Sequence, residues 1–381
     1  MNVRRIFLSP AWLMFSLPGY IGWRLLSAFA MPPWGIALGV AVLIAACVFV
    51  PMSVRTRAIR DRTLADRLSW VGLTAMGFFS SLFVLTVLRD LLLLAVRFFS
   101  GPRADAWTTP SATVTLLTTF LVTAFGMVIA RRRPRIVNVE IPVTDLPEAL
   151  RGFSIAQISD VHVGSTIKRP FVEKVVRRVN ALRADMIAVT GDLVDGSVPQ
   201  LAAHTAPLAG LSARHGAFFV TGNHEYYSGE RAWTHELRRL GLRVLKNEHV
   251  VLQHNGSALV LAGVTDFSAH HFDPAQQSDP AAALSGAPAG AGARILLAHQ
   301  PSSAEAAADA GFDVQLSGHT HGGQFWPWNL FVRFYQPFTS GLYRLKNLWV
   351  YVSRGTGYWG PPNRFGVPPE ITHIRLVPAA P

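Results

Sequence analysis

The chain has 381 residues, of which 50% are hydrophobic and only 15% are charged. An average soluble domain is about 25% charged, so this composition excludes a disordered chain and argues against a wholly soluble protein. The single cysteine, Cys47, excludes a disulfide framework and every cysteine-based metal site.

The net charge of +12 is divided unevenly along the chain. Residues 1–135 contain 15 arginines, no lysine and 4 acidic residues, whereas residues 136–381 contain 20 basic and 19 acidic residues. A nucleic-acid-binding domain carries its basic residues on the surface that meets the phosphates. Because the basic excess belongs to the apolar part of this chain, we expect no nucleic-acid partner.

The first third of the chain, residues 1–135, is expected to be a helical transmembrane anchor. It contains apolar stretches of about 20 residues, each long enough as a helix to cross a hydrocarbon core of about 30 Å. Pro18 and Arg24 interrupt the first stretch. The predicted spans are residues 12–30, 34–52, 70–88 and 111–130.

The placement of arginine predicts the orientation of these spans. Five arginines lie between the second and third spans, and four follow the fourth span, in residues 131–135. The positive-inside rule places both segments in the cytoplasm. We therefore expect a multi-pass protein of the cytoplasmic membrane, with the lipid bilayer as a partner and the following domain on the cytoplasmic side.

Two other interpretations of the apolar part remain open. Arg4-Arg5 and an apolar run ending at Ala28-Phe29-Ala30 resemble a cleaved signal peptide or, faintly, a twin-arginine export signal. Arg24 and the Arg89-Asp90 pair would suit a transporter, since charge inside a membrane marks a pathway. Cleavage would leave a new terminus almost inside the second span, and no polar track follows the spans, so an intact anchor is favoured.

From about Ile136 the pattern changes to short β-branched runs that alternate with helical stretches. This alternation predicts an α/β domain with substantial sheet over residues 136–381. Residues 280–293 are low in complexity and predict a flexible surface loop. The predicted strands are 153–157, 186–190, 217–221, 258–264, 295–298, 314–316, 348–352 and 371–376, and the predicted helices include 171–182 and 231–240.

Polar clusters follow five of the predicted strands directly. Ligands of open α/β sheets bind at the carboxyl ends of the strands, so these clusters are expected to converge on one site. A single cluster of this kind arises by chance in many proteins, but five in this placement do not. The clusters are Asp160-Val-His162, Gly191-Asp192-Leu-Val-Asp195, Gly222-Asn223-His224-Glu225, Ala298-His299-Gln300 and Gly318-His319-Thr-His321.

The residue types in the clusters suit a pair of divalent cations. Imidazole together with carboxylate accommodates manganese, iron or zinc. Asp160-x-His162 and His319-x-His321 would each place two side chains on the same side of an extended segment. Glycines 191, 222 and 318 would allow the tight backbone of a strand-to-loop corner. Two metals about 3.5–4 Å apart clamp a phosphoryl group and turn a bridging water into a nucleophile.

These clusters resemble, as an ordered set over residues 150–376, the signature of the calcineurin-like metallophosphoesterase superfamily. Three further segments are similar to its membrane-anchored, YkuE-like branch. They are Gly318-His-Thr-His-Gly-Gly-Gln324, Val352-Ser-Arg-Gly355 and Pro368-Pro-Glu-Ile371. The resemblance implies a four-layer αββα sandwich with two β-sheets face to face.

The resemblance also implies a role for each site residue. A hydroxide between two metals would attack phosphorus in line, His224 would protonate or stabilise the leaving group, and Asp195 would orient His224. Asp192 would bridge the metals. The remaining ligands would be Asp160, His162 and His321 for one metal and Asn223, His299 and His319 for the other.

One departure from the superfamily bears on the substrate. The protein serine/threonine phosphatases continue the second cluster with Arg-Gly, where this chain has Gly196-Ser197. The missing arginine argues against protein phosphatase activity. Arg354 or Arg364 would be the replacement phosphate contact, unless they are surface residues.

The substrate class is suggested by the anchor and by an aromatic-rich segment, residues 325–343. The segment either packs on the sheet or offers an apolar platform to the inner leaflet or an acyl chain. Because the family includes enzymes that hydrolyse UDP-diacylglucosamine, the resemblance implies a phosphoester or pyrophosphate substrate of the lipid-linked kind. The alternative is a non-catalytic, metal-dependent membrane sensor or scaffold.

Overall fold

The computed structural model describes residues 10–56 and 59–379. Their contacts divide the chain into two units. The helical unit comprises the residues up to Ile129 together with residues 360–365, and the α/β unit comprises residues 130–359 and those from Gly366 onward. The Arg4-Arg5 pair of the export-signal interpretation lies outside the described residues.

The helical unit contains the apolar part of the sequence. Two of its helical stretches are long and apolar enough to cross a membrane, Pro33–Arg55 and the stretch Arg62–Arg131, in which a short 3₁₀ segment, Gly101–Trp107, joins two α-helices. The helices are α1 (Pro10–Leu26), α2 (Pro33–Arg55), α3 (Arg62–Ser100) and α4 (Thr108–Arg131).

Helix α3 is longer than the predicted span 70–88. It has 39 residues, which corresponds to about 58 Å at 1.5 Å per residue. The helix begins after Asp61, whose carboxylate accepts hydrogen bonds from the amides of Thr63 and Leu64. It continues past residue 88 because residues 89–100 contain neither proline nor glycine.

Three charged residues within these helices, Arg24, Arg89 and Asp90, pair with one another. Asp90 accepts hydrogen bonds from Arg24 at 2.6 and 2.9 Å, from Arg89 at 3.1 Å and from the Tyr20 hydroxyl at 2.5 Å. The network therefore connects α1 to α3. Such pairing offsets the cost of placing charge among apolar helices, and it gives these residues a structural role.

The α/β unit contains two six-stranded sheets. The first has the order β1-β12-β2-β3-β4-β5 and the second β10-β11-β9-β8-β7-β6. Strands β2, β3 and β4 are parallel neighbours, as are β7, β8 and β9. The strands are β1 (Arg135–Val143), β2 (Ser154–Ile158), β3 (Met186–Thr190), β4 (Ala217–Val220), β5 (Arg243–Val244), β6 (Glu248–His254), β7 (Ser257–Gly263), β8 (Ala293–Leu297), β9 (Val314–Ser317), β10 (Gly341–Leu345), β11 (Leu348–Val352) and β12 (Glu370–Pro378).

The sheets pack face to face, and helices cover their outer faces. One apolar core joins side chains of both sheets, among them Ile155 and Phe218 from the first and Ile295 and Leu316 from the second. Separate cores lie between the outer face of each sheet and its helices. This arrangement confirms the α/β sandwich. The helices are α5 (Arg169–Asn180), α6 (Val198–Thr205), α7 (Asn223–Ser228), α8 (Glu230–Arg239), α9 (Pro280–Leu284) and α10 (Ala304–Ala310).

The prediction of a flexible loop over residues 280–293 is wrong at both ends of the segment. Helix α9 occupies its first residues because the Asp279 carboxylate accepts a hydrogen bond from the Ala282 amide and so caps the helix. Strand β8 begins at Ala293, which is buried. Only residues 285–292 lack helix and strand structure.

Candidate metal centre

The predicted site residues follow strands that are neighbours in the two sheets. Asp160 follows β2 and Asp192 follows β3, while Asn223 and His224 begin α7 directly after β4. In the second sheet, clusters follow β8 and β9 in the same way. Because β2, β3 and β4 are parallel, as are β8 and β9, the carboxyl ends of each set lie at one edge of their sheet.

The first group of possible ligands comprises Asp160, His162 and His321. One ligand atom from each lies within 4.8 Å of the others, and all three residues are buried. The Nε2 atoms of His162 and His321 are 3.0 Å apart, and Asp160 Oδ1 is 3.5 Å from His321 Nε2. These are the three residues that the family resemblance assigns to one metal.

The second group comprises Asp192, His299 and His319. His299 Nε2 lies 3.1 Å from Asp192 Oδ2 and 3.3 Å from His319 Nδ1. The other nitrogen of His299, Nδ1, donates a hydrogen bond of 2.7 Å to the Thr190 carbonyl. That bond fixes the tautomer and leaves Nε2 available as a ligand.

Asp192 faces both groups. Its Oδ2 atom is 3.1 Å from His299 Nε2 and 3.9 Å from His162 Nε2, so one carboxylate lies between histidines of both groups. Its Oδ1 atom accepts a hydrogen bond of 2.8 Å from the His224 amide. This position suits the bridging role that the sequence predicts.

The donors fit two hard-to-borderline cations. Imidazole and carboxylate are the ligand types that manganese, iron and zinc accept. Asn223, next to His224, has a buried Oδ1 atom without a hydrogen-bond partner among the described residues. A buried acceptor of this kind costs free energy unless a donor or a cation satisfies it. The assignment of each residue to a metal stays a prediction.

His224 lies beside the ligands and is paired with Asp195. The two contact through His224 Nδ1 and Asp195 Oδ1 at 2.5 Å, and His224 Nε2 is 3.9 Å from Asp192 Oδ2. Asp195 Oδ2 is also 3.2 Å from His162 Nδ1. Asp195 therefore contacts His162 as well as His224, and the sequence did not indicate this second contact.

Burial and neighbouring charge shift the pKa values of these groups. Burial alone would lower the pKa of His224, but the Asp192 and Asp195 carboxylates raise it to about 9. Burial, together with His299, lowers the pKa of His319 to about 3. His319 is therefore neutral near pH 7, as a metal-binding imidazole must be, whereas His224 carries the proton that an acid would donate.

The backbone at the predicted ligands departs from the expected extended form. Asp160 and His162 have φ values of 54° and 53°, and His319 and His321 have 71° and 52°. The extended-segment argument is therefore wrong, although the paired side chains still lie together. Non-glycine residues in the left-handed region are strained by about 1–3 kcal/mol each and cluster at functional sites.

The glycines of the clusters serve two different purposes. Gly191 has a φ of 84°, so its conformation requires glycine. Gly222 and Gly318 do not have a left-handed φ. At these two positions glycine is required because a side chain would collide with neighbouring atoms. A Cβ atom at Gly318 would overlap Ser159 Oγ and Asp160 Oδ2.

We expect Gly318→Ala to lower the metal content of the purified chain by about tenfold or more, because the added methyl group would displace Asp160. Elemental analysis measures the loss. Gly290→Ala is the matched control, since no atom lies within 4 Å of a Cβ at Gly290. Wild-type metal content in Gly318→Ala would contradict the assignment of Asp160 as a ligand.

Glu225 supports the site in a way that the sequence alone did not reveal. Its buried carboxylate accepts hydrogen bonds from the amides of Asp192 (3.0 Å), Leu193 (2.8 Å) and Gly222 (2.7 Å). It therefore ties the loop after β3 to the start of α7. Glu225 could be recognised in the sequence as the last residue of the Gly222-Asn-His-Glu225 motif. The backbone amides that it binds could not, because they are brought to it by the tertiary structure.

We expect Glu225→Ala to lower the apparent melting temperature of the full chain by about 5–10 °C. Three buried amides would lose their acceptor, and each buried donor that is left unsatisfied costs about 1–3 kcal/mol before relaxation. Thermal unfolding followed by tryptophan fluorescence measures the change. Glu305→Gln, which alters an exposed carboxylate, is the control. An unchanged midpoint would show that the three bonds are not important for stability.

The two arginines suggested as phosphate contacts lie in different units. Arg354 is partly exposed, and its Cγ would lie 3.3 Å from a Cβ atom at Gly322, next to His321. Arg364 is fully buried and belongs to the helical unit, where its amide donates a hydrogen bond to the Gly126 carbonyl. The surface interpretation is therefore wrong for Arg364, and Arg354 is the better candidate for a phosphate contact.

The fold and the clusters of possible metal ligands are those of a metallophosphoesterase, and comparison with known proteins agrees. Residues 153–323 match the family model "Calcineurin-like phosphoesterase". An uncharacterized metallophosphoesterase of Campylobacter jejuni is 30% identical over 326 residues, which cover 83% of this chain and 84% of that protein. The chain therefore belongs to the calcineurin-like metallophosphoesterase family.

Two further relatives agree with the narrower resemblance. The uncharacterized metallophosphoesterase YkuE of Bacillus subtilis is 30% identical over 61% of this chain and 81% of its own length. A protein of Danio rerio named "Transmembrane protein with metallophosphoesterase domain" is 38% identical over 68% of this chain. The match spans 61% of that Danio rerio protein.

Proposed function

We propose that the chain is a membrane-anchored, two-metal phosphoesterase that hydrolyses a phosphomonoester, phosphodiester or pyrophosphate bond. The observation that carries the proposal is Asp192, whose carboxylate lies between the two ligand groups while the His224–Asp195 pair stands beside them. Two divalent cations held there would polarise a bridging water for attack on phosphorus and neutralise the charge of the phosphoryl oxygens.

The chain's own residues supply the proton for the leaving group. His224 is 89% buried by side-chain area and is held through Nδ1 by Asp195, so its Nε2 atom is free to donate. The Asp195 carboxylate, which contacts Nδ1, favours the protonated form of His224. General acid catalysis of this kind accelerates a reaction by about 10²–10⁴-fold.

The anchor and the lipid-linked substrate are supported by the helical unit. Helix α2 and the stretch from Arg62 to Arg131 are apolar enough to cross a membrane. The arginines that flank these helices support, by the positive-inside rule, the proposal that the α/β unit lies on the cytoplasmic side. A phosphoesterase anchored in this way would act on substrates that are embedded in the bilayer, such as a UDP-diacylglucosamine-like molecule.

The proposal is tested with the full chain purified in detergent and assayed on bis-p-nitrophenyl phosphate and p-nitrophenyl phosphate. We expect turnover with manganese, loss of turnover on chelation and recovery on adding the metal back. A protein that binds about two metals per chain and hydrolyses neither these compounds nor a broad panel of phosphoesters would contradict the proposal. That result would favour the sensor or scaffold instead.

The proposed orientation is tested by fusing a fluorescent protein to the carboxyl terminus and expressing the fusion in a Gram-negative bacterium. Fluorescence in the membrane fraction, and protection from external protease after the outer membrane is opened, are expected for a cytoplasmic α/β unit. Degradation of the fusion by external protease in intact inner-membrane spheroplasts would contradict the orientation.

A further inference from the structure

The segment Gly360–Phe365 belongs to the helical unit, although the residues on both sides of it belong to the α/β unit. The chain therefore enters the helical unit at the Trp359–Gly360 peptide bond and leaves it after Phe365. We call residues 360–365 the inserted segment. Residues 361–364 within it are buried. Burial of this kind is unusual for a connecting segment, because such segments almost always run over the surface of a protein.

Two glycines of the long helices leave the space that the inserted segment occupies. A Cβ atom at Gly126, in α4, would overlap Asn363 Oδ1. A Cβ atom at Gly77, in α3, would lie 2.9 Å from Pro361 Cβ. The Gly126 carbonyl also accepts a hydrogen bond of 3.1 Å from the Arg364 amide. Helices α3 and α4 therefore hold the inserted segment by close packing, which small residues make possible between membrane helices.

Asn363 has no room to move away from α4. Its side chain is fully buried, and its Oδ1 atom accepts a hydrogen bond of 3.0 Å from the Phe365 amide. Because a packed interior does not accommodate an added methyl group freely, a side chain at position 126 would shift the backbone of the inserted segment.

Trp359, the residue before the inserted segment, packs against the proposed acid, His224. The centroids of the two rings are 5.8 Å apart in an edge-to-face arrangement. Gln324 holds the Trp359 backbone in the α/β unit. Its side-chain amide accepts a hydrogen bond of 2.8 Å from the Trp359 N–H and donates one of 2.8 Å to the Trp359 carbonyl. Trp359 is therefore held by Gln324 at its own backbone and by the inserted segment at the next residue.

The His224 ring is confined by its neighbours. Asp195 contacts its Nδ1 atom, and the Tyr227 ring packs on it with centroids 5.3 Å apart. The Trp359 ring is the third neighbour. A general acid must keep its donor atom within hydrogen-bond reach of the leaving oxygen. A misplacement of about 1 Å in a group of this kind costs up to about 10²-fold in rate.

Resting on the proposed function, we infer that Trp359 is a positioning residue for His224, and that α3 and α4 hold Trp359 in place through the inserted segment. The anchor thus has a role in catalysis besides attachment to the membrane. A change in the packing of α3 and α4 on the inserted segment moves the leaving-group acid and leaves the metal ligands in place.

The first variants test Trp359 itself in the full chain, purified in detergent. Trp359→Ala is expected to lower kcat/KM for n-butyl phosphate by about tenfold and for p-nitrophenyl phosphate by about threefold or less, because the alkoxide depends more on the acid. Trp359→Phe, which keeps a ring against His224, should retain most of the activity. Metal content should equal that of the wild type in both variants. Trp107→Ala, which removes an exposed tryptophan of the helical unit, is the control.

The glycine variants test the role of the helices. Gly126→Ala is expected to lower the butyl-to-p-nitrophenyl ratio of kcat/KM in the same direction as Trp359→Ala, by about threefold to tenfold. Adding Asn363→Ala to Gly126→Ala should restore the ratio in part, because it removes the side-chain atoms that the new methyl group overlaps. Gly77→Ala is the second variant of this kind and provides the test if Gly126→Ala does not fold.

Two further glycines separate this effect from general damage to the anchor. The nearest atoms to a Cβ at Gly72 belong to Phe49 and Ser53 of α2, so Gly72→Ala disturbs the packing of α2 on α3. It should lower the melting temperature and leave the butyl-to-p-nitrophenyl ratio unchanged. No atom of the described residues lies within 4 Å of a Cβ at Gly19, so Gly19→Ala should change neither quantity.

Four outcomes would overturn the inference. An unchanged ratio in Trp359→Ala, with turnover intact, would show that Trp359 does not position the acid. A ratio that changes in Trp359→Ala but in neither Gly126→Ala nor Gly77→Ala would show that the helices do not hold it. An equal change in Gly72→Ala would indicate general damage to the anchor. These three results leave the proposed function standing, whereas a wild-type chain that binds metal but hydrolyses no phosphoester would overturn that as well.

Discussion

Asp192→Asn is expected to lower kcat/KM for bis-p-nitrophenyl phosphate by about 10³-fold or more, with loss of bound metal. Asp192 is the carboxylate that lies near histidines of both ligand groups, 3.1 Å from His299 and 3.9 Å from His162. An amide provides only one neutral oxygen, so it cannot balance the charge of two cations at once. Steady-state kinetics and elemental analysis of the same preparation measure both effects.

The matched control is Asp309→Asn, which removes an exposed carboxylate that pairs with Lys346. It should retain wild-type kinetics and wild-type metal content. If Asp192→Asn kept both its metals and its turnover, the bridging role would be wrong. Loss of metal without loss of turnover would contradict metal-dependent hydrolysis itself.

His224→Gln is expected to separate catalysis from metal binding. The variant should keep its metals, because the proposal assigns His224 to the leaving group and not to a cation. Hydrolysis of an alkyl phosphate should fall by about 10²–10⁴-fold, since the alkoxide leaves poorly without a proton. Hydrolysis of a p-nitrophenyl ester should fall by about tenfold or less, because that leaving group needs little protonation.

The measurement is kcat/KM across a series of leaving groups of increasing pKa, for wild type and variant. A steeper dependence on leaving-group pKa in His224→Gln is the expected signature of a lost acid. His235→Gln, which changes an exposed histidine on α8, serves as the control. Equal losses for alkyl and p-nitrophenyl esters would show that His224 does not protonate the leaving group.

The sheet strands that were predictable from sequence are those buried on both faces. The predicted strands 186–190 and 348–352 have the bounds that the structure gives them, since a parallel, fully covered strand is a continuous apolar run. Strand β1 was missed because most of its residues are exposed or half-buried, so no continuous apolar run marks it, and because its partner, β12, lies more than 200 residues away in sequence. Strand β6 was missed for the first of these reasons.

The convergence of the predicted site residues on one edge was predictable, because each of them follows an apolar run that the sequence marks as a strand. What the sequence did not reveal depends on tertiary contacts. The hydrogen bonds from Asp192 and Leu193 to Glu225, and those between Gln324 and Trp359, join segments more than 30 residues apart. The left-handed backbone at Asp160 and His162 occurs without a glycine to mark it. A single sequence records the residue types at these positions but not the atoms that they meet.

The most direct test of the central claim is the electron paramagnetic resonance spectrum of the full chain loaded with about two equivalents of Mn(II). Two ions bridged by Asp192 would lie about 3.5–4 Å apart and would be magnetically coupled. We predict a broadened, exchange-coupled spectrum in the wild type that is lost in Asp192→Asn. The sharp hyperfine lines of isolated Mn(II) in the wild-type protein would contradict a dinuclear centre.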